Sequence, residues 1–332
     1  MQRNWTHGGA LDCMQDAFPD APSPWIDLST GINPWPYRGA ASDEVIYDRL
    51  PTDAAYGECQ AAMAAAIRAP HSNLCLAPGS ELLIRLLPHH LACTRVATLT
   101  PTYGDHAEVW RRAGCDVVET PDPLSLAGEV DAVIICNPNN PDGRLFDCDD
   151  LHAARSRLAA RGGWLIVDEA FADLQPDMST APEGGADGLI VLRSFGKFFG
   201  LPGLRLGAMI APDEISARLS EQLGAWPISS AALEIGAGAY RDLDWQDRTR
   251  QALQQARLLL DQVLISNKIK IEGGTDLFRF VNVDDAQALS HHLAEAGIYV
   301  RRFDTLPGKL RIGLPANEIQ LARLNEALSL LG

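Results

Sequence analysis

Leu189-Ile-Val-Leu-Arg-Ser194-Phe-Gly-Lys197-Phe-Phe-Gly-Leu-Pro-Gly-Leu-Arg205-Leu-Gly207-Ala-Met-Ile-Ala211 holds two short apolar runs around a glycine-rich loop that contains Lys197 and Arg205. The runs at 189–192 and 206–211 lack polar alternation and are too short for helices, so they predict strands buried on both faces. Lys197 then falls just beyond the C-terminal end of a strand, where open α/β sheets place ligands. Phe195, Phe198 and Phe199 surround it in the chain, which predicts partial desolvation and favours the neutral, nucleophilic amine. A single lysine in a glycine-rich loop is more often a surface residue, so its neighbours along the chain must decide.

Working outward, similar apolar runs occur at 96–99, 132–136 and 164–167, and helical patterns at 81–87, 105–113 and 149–160. Apolar strands that alternate with helices predict an α/β fold with a mostly parallel sheet covered on both faces. An amphipathic segment at 247–265 leads to a different order: strand 277–283, helix 286–296, strands 298–302 and 310–313, and helix 318–330. That order predicts a small α+β domain. The first fifty residues, rich in Pro, Gly and Trp, read as an extended arm. The expected organisation is therefore an arm at 1–45 that forms part of the small domain and the active site, a large domain at 46–245 and a small domain at 246–332.

With 332 residues and 46% hydrophobic content, the chain can bury a large core. A formal charge of −15 would repel nucleic acid and anionic membranes, so neither is an expected partner. Any anionic ligand must rely on a few local cations. The seven cysteines (13, 59, 75, 93, 115, 136, 148) include no CxxC pair and read as reduced thiols. No export signal opens the chain, and no apolar run reaches the ~20 residues needed to cross a bilayer. A cytoplasmic enzyme without a metal is expected.

Three further segments lie at strand or helix ends. Asp168 closes Trp164-Leu-Ile-Val-Asp168-Glu-Ala-Phe171, where it could cap a helix or pair with a ligand nitrogen. Asn137-Pro-Asn-Asn140-Pro-Asp-Gly143 forces a tight turn that could aim an amide. Gly79-Ser80-Glu81 precedes a helix, and free N–H groups there suit a phosphate.

Together, in this order and spacing, these segments resemble the aspartate-aminotransferase-like enzymes of fold type I, which use pyridoxal 5'-phosphate (PLP). The resemblance spans about residues 7–330 and implies a large domain with a mostly parallel, seven-stranded sheet. It implies that Lys197 carries the cofactor, that Asp168 pairs with its ring nitrogen, that Asn140 bonds its ring oxygen and that Tyr103 of Pro101-Thr-Tyr-Gly104 stacks on the ring. It assigns the cofactor phosphate to Ser194, Arg205 and the backbone of Gly79, Ser80 and Glu81. It assigns a substrate carboxylate to Arg311 in Lys309-Leu-Arg-Ile-Gly313. Three positions depart from the family pattern. Phe171 stands where a tyrosine is frequent, Gly196 replaces a hydroxyl residue, and Leu50 replaces a tyrosine that reaches across a homodimer, a role for which Tyr47 or Tyr56 is a substitute.

Within that group, the ends of the chain look like the threonine-phosphate decarboxylases of cobalamin biosynthesis. The matching segments are Thr6-His7-Gly-Gly9 and Ser29-Thr-Gly-Ile-Asn33-Pro34. The likeness implies a small phosphorylated amino-acid substrate, L-threonine O-3-phosphate, decarboxylated to (R)-1-amino-2-propanol O-2-phosphate and CO2. It nominates His7, Asn33 and Arg301 for the substrate phosphate. Arg301 and Arg302 are adjacent in a strand and face opposite sides, so one of the two is expected in solvent. Histidinol-phosphate aminotransferases share the scaffold and are the main alternative. A nicotinamide dehydrogenase is disfavoured because no G-x-G-x-x-G follows a strand. A non-catalytic relative would be expected to have lost Lys197, Asp168 or Arg311.

Overall fold

A computed structural model of the protein describes residues 8–39 and 48–330; His7 and Tyr47 lie outside the described residues. Along the chain run α1 (Leu11–Ala17), β1 (Ile26–Leu28), α2 (Asp53–Ala66), β2 (Leu74–Ala77), α3 (Ser80–His90), β3 (Arg95–Leu99), α4 (Asp105–Arg112), β4 (Asp116–Thr120), β5 (Ala132–Cys136) and α5 (Cys148–Ala159). There follow β6 (Trp164–Asp168), β7 (Leu189–Ser194), β8 (Gly207–Ile210), α6 (Asp213–Leu223), α7 (Ser230–Arg241) and α8 (Leu243–Ser266). The chain ends with β9 (Lys270–Thr275), β10 (Phe278–Asn282), α9 (Ala286–Glu295), β11 (Ile298–Arg302), β12 (Lys309–Gly313) and α10 (Glu318–Ser329). It divides into two compact units: residues up to Trp35 with Pro141–Gly143 and 247 onward, and Pro36–Asn140 with Arg144–Gln246.

The larger unit carries a seven-stranded sheet in the order β2-β8-β7-β6-β5-β3-β4. All neighbours are parallel except β8, which runs antiparallel to both β2 and β7. Its central strands are apolar because helices cover both faces. Val96, Ile134, Ile166 and Ile190 are buried together with Leu83, Leu87 and Trp110 of α3 and α4. Each such side chain contributes about 1.5–3 kcal/mol. From β3 the chain moves to β4 on one side and then returns to β5 on the other. The loops after β3 and β5 therefore diverge, and that switch point opens a crevice at the strand ends. Tyr103 and Asn140 lie on those two loops.

The smaller unit holds a five-stranded sheet, β1-β11-β12-β10-β9. The amino-terminal residues of this unit are not an extended arm. Ile26 and Leu28 point inward and pair in parallel with Ile298 and Val300, making β1 an edge of this sheet. Met14 of α1 packs on Ala294 and Tyr299. The alternation of only three residues was too short to announce a strand. Among the described residues no helix is long and apolar enough to cross a membrane.

Candidate active site

An anion cradle forms where α3 begins. Gly79 caps this helix at φ +90°, and a Cβ there would stand 2.5 Å from Arg205 Nη2. A Cβ on Gly207 would stand 2.6 Å from the Ser80 nitrogen. Two glycines thus let the guanidinium and the first N–H groups of the helix share one small volume. Arg205 adopts a left-handed conformation (φ +55°), and its Nη1 donates to the Pro202 carbonyl at 3.1 Å. Ser194 pairs with Gly207 across β7 and β8, which adds a hydroxyl at the same strand ends. Helix N–H groups, a guanidinium and a hydroxyl make a donor set that fits a phosphate monoester. The same crowding accounts for Gly196, where a Cβ would meet Pro202 Cα at 2.8 Å.

Asp168 ends β6 and is buried. Its Oδ1 accepts from the Ala170 N–H at 3.1 Å, and its Oδ2 lies 3.0 Å from His106 Nε2. His106 is itself buried in the first turn of α4 and meets Tyr103 edge to face at 5.8 Å. Sequence reasoning missed His106. The available signal was its spacing of three from Tyr103, one turn's separation at the entry to α4, where the His106 N–H donates to the Tyr103 carbonyl at 3.1 Å. The Tyr103 hydroxyl donates to Glu81 at 2.9 Å, and burial pushes that phenol well above its usual range. Glu81 offers more than its backbone, because its side chain also pairs with Arg85 at 2.5 Å. Burial, together with Asp105, raises its carboxyl above the ordinary value.

The asparagine turn divides its work. Asn137 Oδ1 accepts from the Phe146 N–H at 3.0 Å. Asn139 donates to the Pro101 carbonyl at 2.9 Å and accepts from Thr102 Oγ1 at 2.7 Å, which ties this turn to the loop that carries Tyr103. Asn140 sits half-buried at the end of the turn.

Lys197 is half-buried between β7 and the turn at Pro202–Leu204. Its phenylalanine neighbours are committed to a ring cluster. Phe195 stacks on Phe199 at 4.4 Å, and Phe199 stacks on Trp245 at 5.7 Å and meets Tyr240 at 5.0 Å. They anchor the loop to the core of the unit. Behind Asp168 and Ser194 lies a second anchor. Arg193 is buried between Glu169, at 2.9 Å, and Asp173, while Glu169 also accepts from the Thr180 N–H at 2.6 Å.

The smaller unit has a separate cationic cluster. Arg301 of β11 pairs in register with Arg311 of β12. Arg311 is buried, its Nη2 donates to the Ser29 carbonyl at 2.8 Å, and its guanidinium lies 5.1 Å from the centre of the Phe278 ring. Burial first, and then Arg301, push Arg311 down to about 10. Arg301 is half-buried over Phe303 at 5.1 Å, and burial lowers it as well. Arg302 is exposed and pairs with Asp304 at 2.9 Å. Asn33 is buried, and its Oδ1 accepts from the Trp35 N–H at 2.8 Å. The Tyr56 hydroxyl accepts from the Ile228 N–H at 2.9 Å, so it is engaged inside its own unit; Leu50 is exposed.

A phosphate cradle, a buried carboxylate and a lysine at the strand ends of such a sheet define the class: residues 42–328 match the model of the aminotransferase class I and II family, and the chain belongs to it. A threonine-phosphate decarboxylase of Pseudomonas aeruginosa is 39% identical over 324 residues, covering 97% of this chain and 96% of the relative. A threonine-phosphate decarboxylase of a Sinorhizobium species is also 39% identical, over 325 residues and 97% of each chain. Among solved structures, a histidinol-phosphate aminotransferase from Clostridium acetobutylicum matches in fold, with a TM-score of 0.83 at 22% identity over 92% of this chain and 98% of that one.

Proposed function

We propose that this protein is a PLP-dependent enzyme that decarboxylates L-threonine O-3-phosphate to (R)-1-amino-2-propanol O-2-phosphate and CO2 within cobalamin biosynthesis. The observation that carries it is the near-full-length likeness to threonine-phosphate decarboxylases. The cradle of Gly79, Ser80, Ser194 and Arg205 supports the cofactor assignment, since its donors suit a phosphate monoester.

When bound, PLP supplies an electron sink for the pair left behind as a bond to the substrate's Cα breaks. The roles of the chain's own residues follow from their chemistry. Lys197 supplies the amine that tethers the cofactor and later moves a proton to Cα in place of the lost CO2. Asp168, steadied by His106, offers a carboxylate to the ring nitrogen. Asn140 bonds the ring oxygen, and Tyr103, clamped by Glu81, presents its ring face. Arg311 takes the substrate carboxylate as a fork, and Arg301, with His7 and Asn33, takes its phosphate. The same reading makes the protein a cytoplasmic homodimer, and the exposed Leu50 and Trp226 are apolar side chains that a partner would cover.

Incubation of the PLP-loaded protein with L-threonine O-3-phosphate should release CO2 and aminopropanol phosphate in equal amounts. Transfer of an amino group from histidinol phosphate to 2-oxoglutarate without CO2 would replace the decarboxylase with an aminotransferase. Lys197→Ala should lower turnover by about a thousandfold or more and abolish the lysine-bound absorption band.

A further inference from the structure

Ser29, just past β1, is wholly buried at a meeting point in the smaller unit. Its hydroxyl donates to Asp27 Oδ1 at 2.6 Å and accepts from the Gly9 N–H at 2.8 Å. Its own N–H donates to the same Asp27 oxygen at 2.9 Å. Its carbonyl oxygen accepts from Arg311 Nη2. The amino-terminal turn presses on that same oxygen, because a Cβ on Gly8 would stand 2.4 Å from Ser29 O and 3.0 Å from its Oγ. Asp27 therefore holds Ser29 from one side and the Gly8–Gly9 turn holds it from the other. A carbonyl acceptor aims a guanidinium without supplying a full opposite charge.

We propose that Ser29 is a positioning residue that couples the seating of the Gly8–Gly9 turn to the aim of Arg311, so that the turn sets how well a substrate carboxylate is gripped. This rests on the role given to Arg311 above. Glycine is required at position 8 because any side chain would displace either the turn or the oxygen that holds the arginine. The coupling acts on the carboxylate and is silent toward ligands that lack one.

The test uses the full-length, PLP-loaded protein and two ligands, L-threonine O-3-phosphate and O-phosphoethanolamine, which has no carboxylate. Calorimetric binding is measured for the parent, Gly8→Ala and Ser29→Ala, and each substitution is repeated in an Arg311→Ala background. Gly8→Ala should weaken L-threonine O-3-phosphate about tenfold, the scale of a misaligned charge-assisted hydrogen bond, and leave O-phosphoethanolamine within about twofold. KM should rise with kcat nearly unchanged, and the effect should vanish once Arg311 is alanine. Ser29→Ala, which removes only a hydroxyl, should act in the same direction with about a threefold effect if the bulkier change prevents folding. Equal losses for both ligands, an undiminished loss in the Arg311→Ala background, or unaltered binding in both variants would overturn the proposal. Where L-threonine O-3-phosphate turns over, its arm is read from KM, while calorimetry reports O-phosphoethanolamine, which has no CO2 to release. A parent protein that binds the substrate but releases no CO2 would sink the decarboxylase reading alone.

Discussion

Arg193 in the larger unit is buried between Glu169 and Asp173, whereas Arg311 in the smaller unit is buried beside Arg301. Burial works to lower both guanidinium groups. At Arg193 the two carboxylates more than reverse it, while at Arg311 the neighbouring cation adds to it and Asp27 offsets only part. One arginine is neutralised where it stands and serves as scaffold behind Asp168 and Ser194. The other is buried beside a second cation, where the proposed function puts a substrate carboxylate. Buried charge can therefore mean architecture or recognition, and the sign of the neighbours separates the two.

That contrast can be broken. Arg193→Met strands two buried carboxylates and should cost about 3–5 kcal/mol of unfolding free energy in urea titrations. Arg311→Met removes a desolvated cation but leaves the Ser29 carbonyl without its donor, so the ligand-free protein should lose only about 1–3 kcal/mol. Affinity for L-threonine O-3-phosphate should nevertheless fall by about 1.5–3 kcal/mol, roughly 10- to 150-fold. Equal stability losses in the two variants would erase the distinction.

The smallest effect concerns Glu81, whose carboxyl is raised in the folded state chiefly by burial. A raised carboxyl pKa favours the folded state at low pH. That contribution is fully present below the ordinary carboxyl value of 4.5 and is lost as pH rises through the higher folded value. Relative to Glu81→Gln, the parent should therefore be comparatively more stable at pH 4 than at pH 7 in denaturant titrations. A difference that stays constant across that interval would show that Tyr103 and Arg85 fully compensate the burial of this carboxylate.

Much of the framework was legible along the chain. The strand at Ala132–Cys136 and the strand at Ile298–Arg302 match the expected strands residue for residue, since each is a short β-rich segment with clear boundaries. The strand Asp116–Thr120 escaped notice because it lies at a sheet edge with charged residues in it. Lys270–Thr275 escaped because it contains Gly273 and Gly274, which read as a loop. A Cβ on Gly273 would stand 2.1 Å from the Asp142 carbonyl, so the glycines answer to a contact 131 residues away.

Local pattern alone determined the alternating strands, the position of Lys197 after a strand, and the residue types offered to a phosphate and a carboxylate. Period and turn chemistry act over a few residues and are written in the chain. Long-range folding decided the rest. His106 reaches Asp168 across 62 positions, and Arg311 reaches Ser29 across 282. The closeness of Gly79 to Arg205 likewise arises only when β8 packs antiparallel between β2 and β7. Such pairings depend on which strands become neighbours, and no local period encodes that choice.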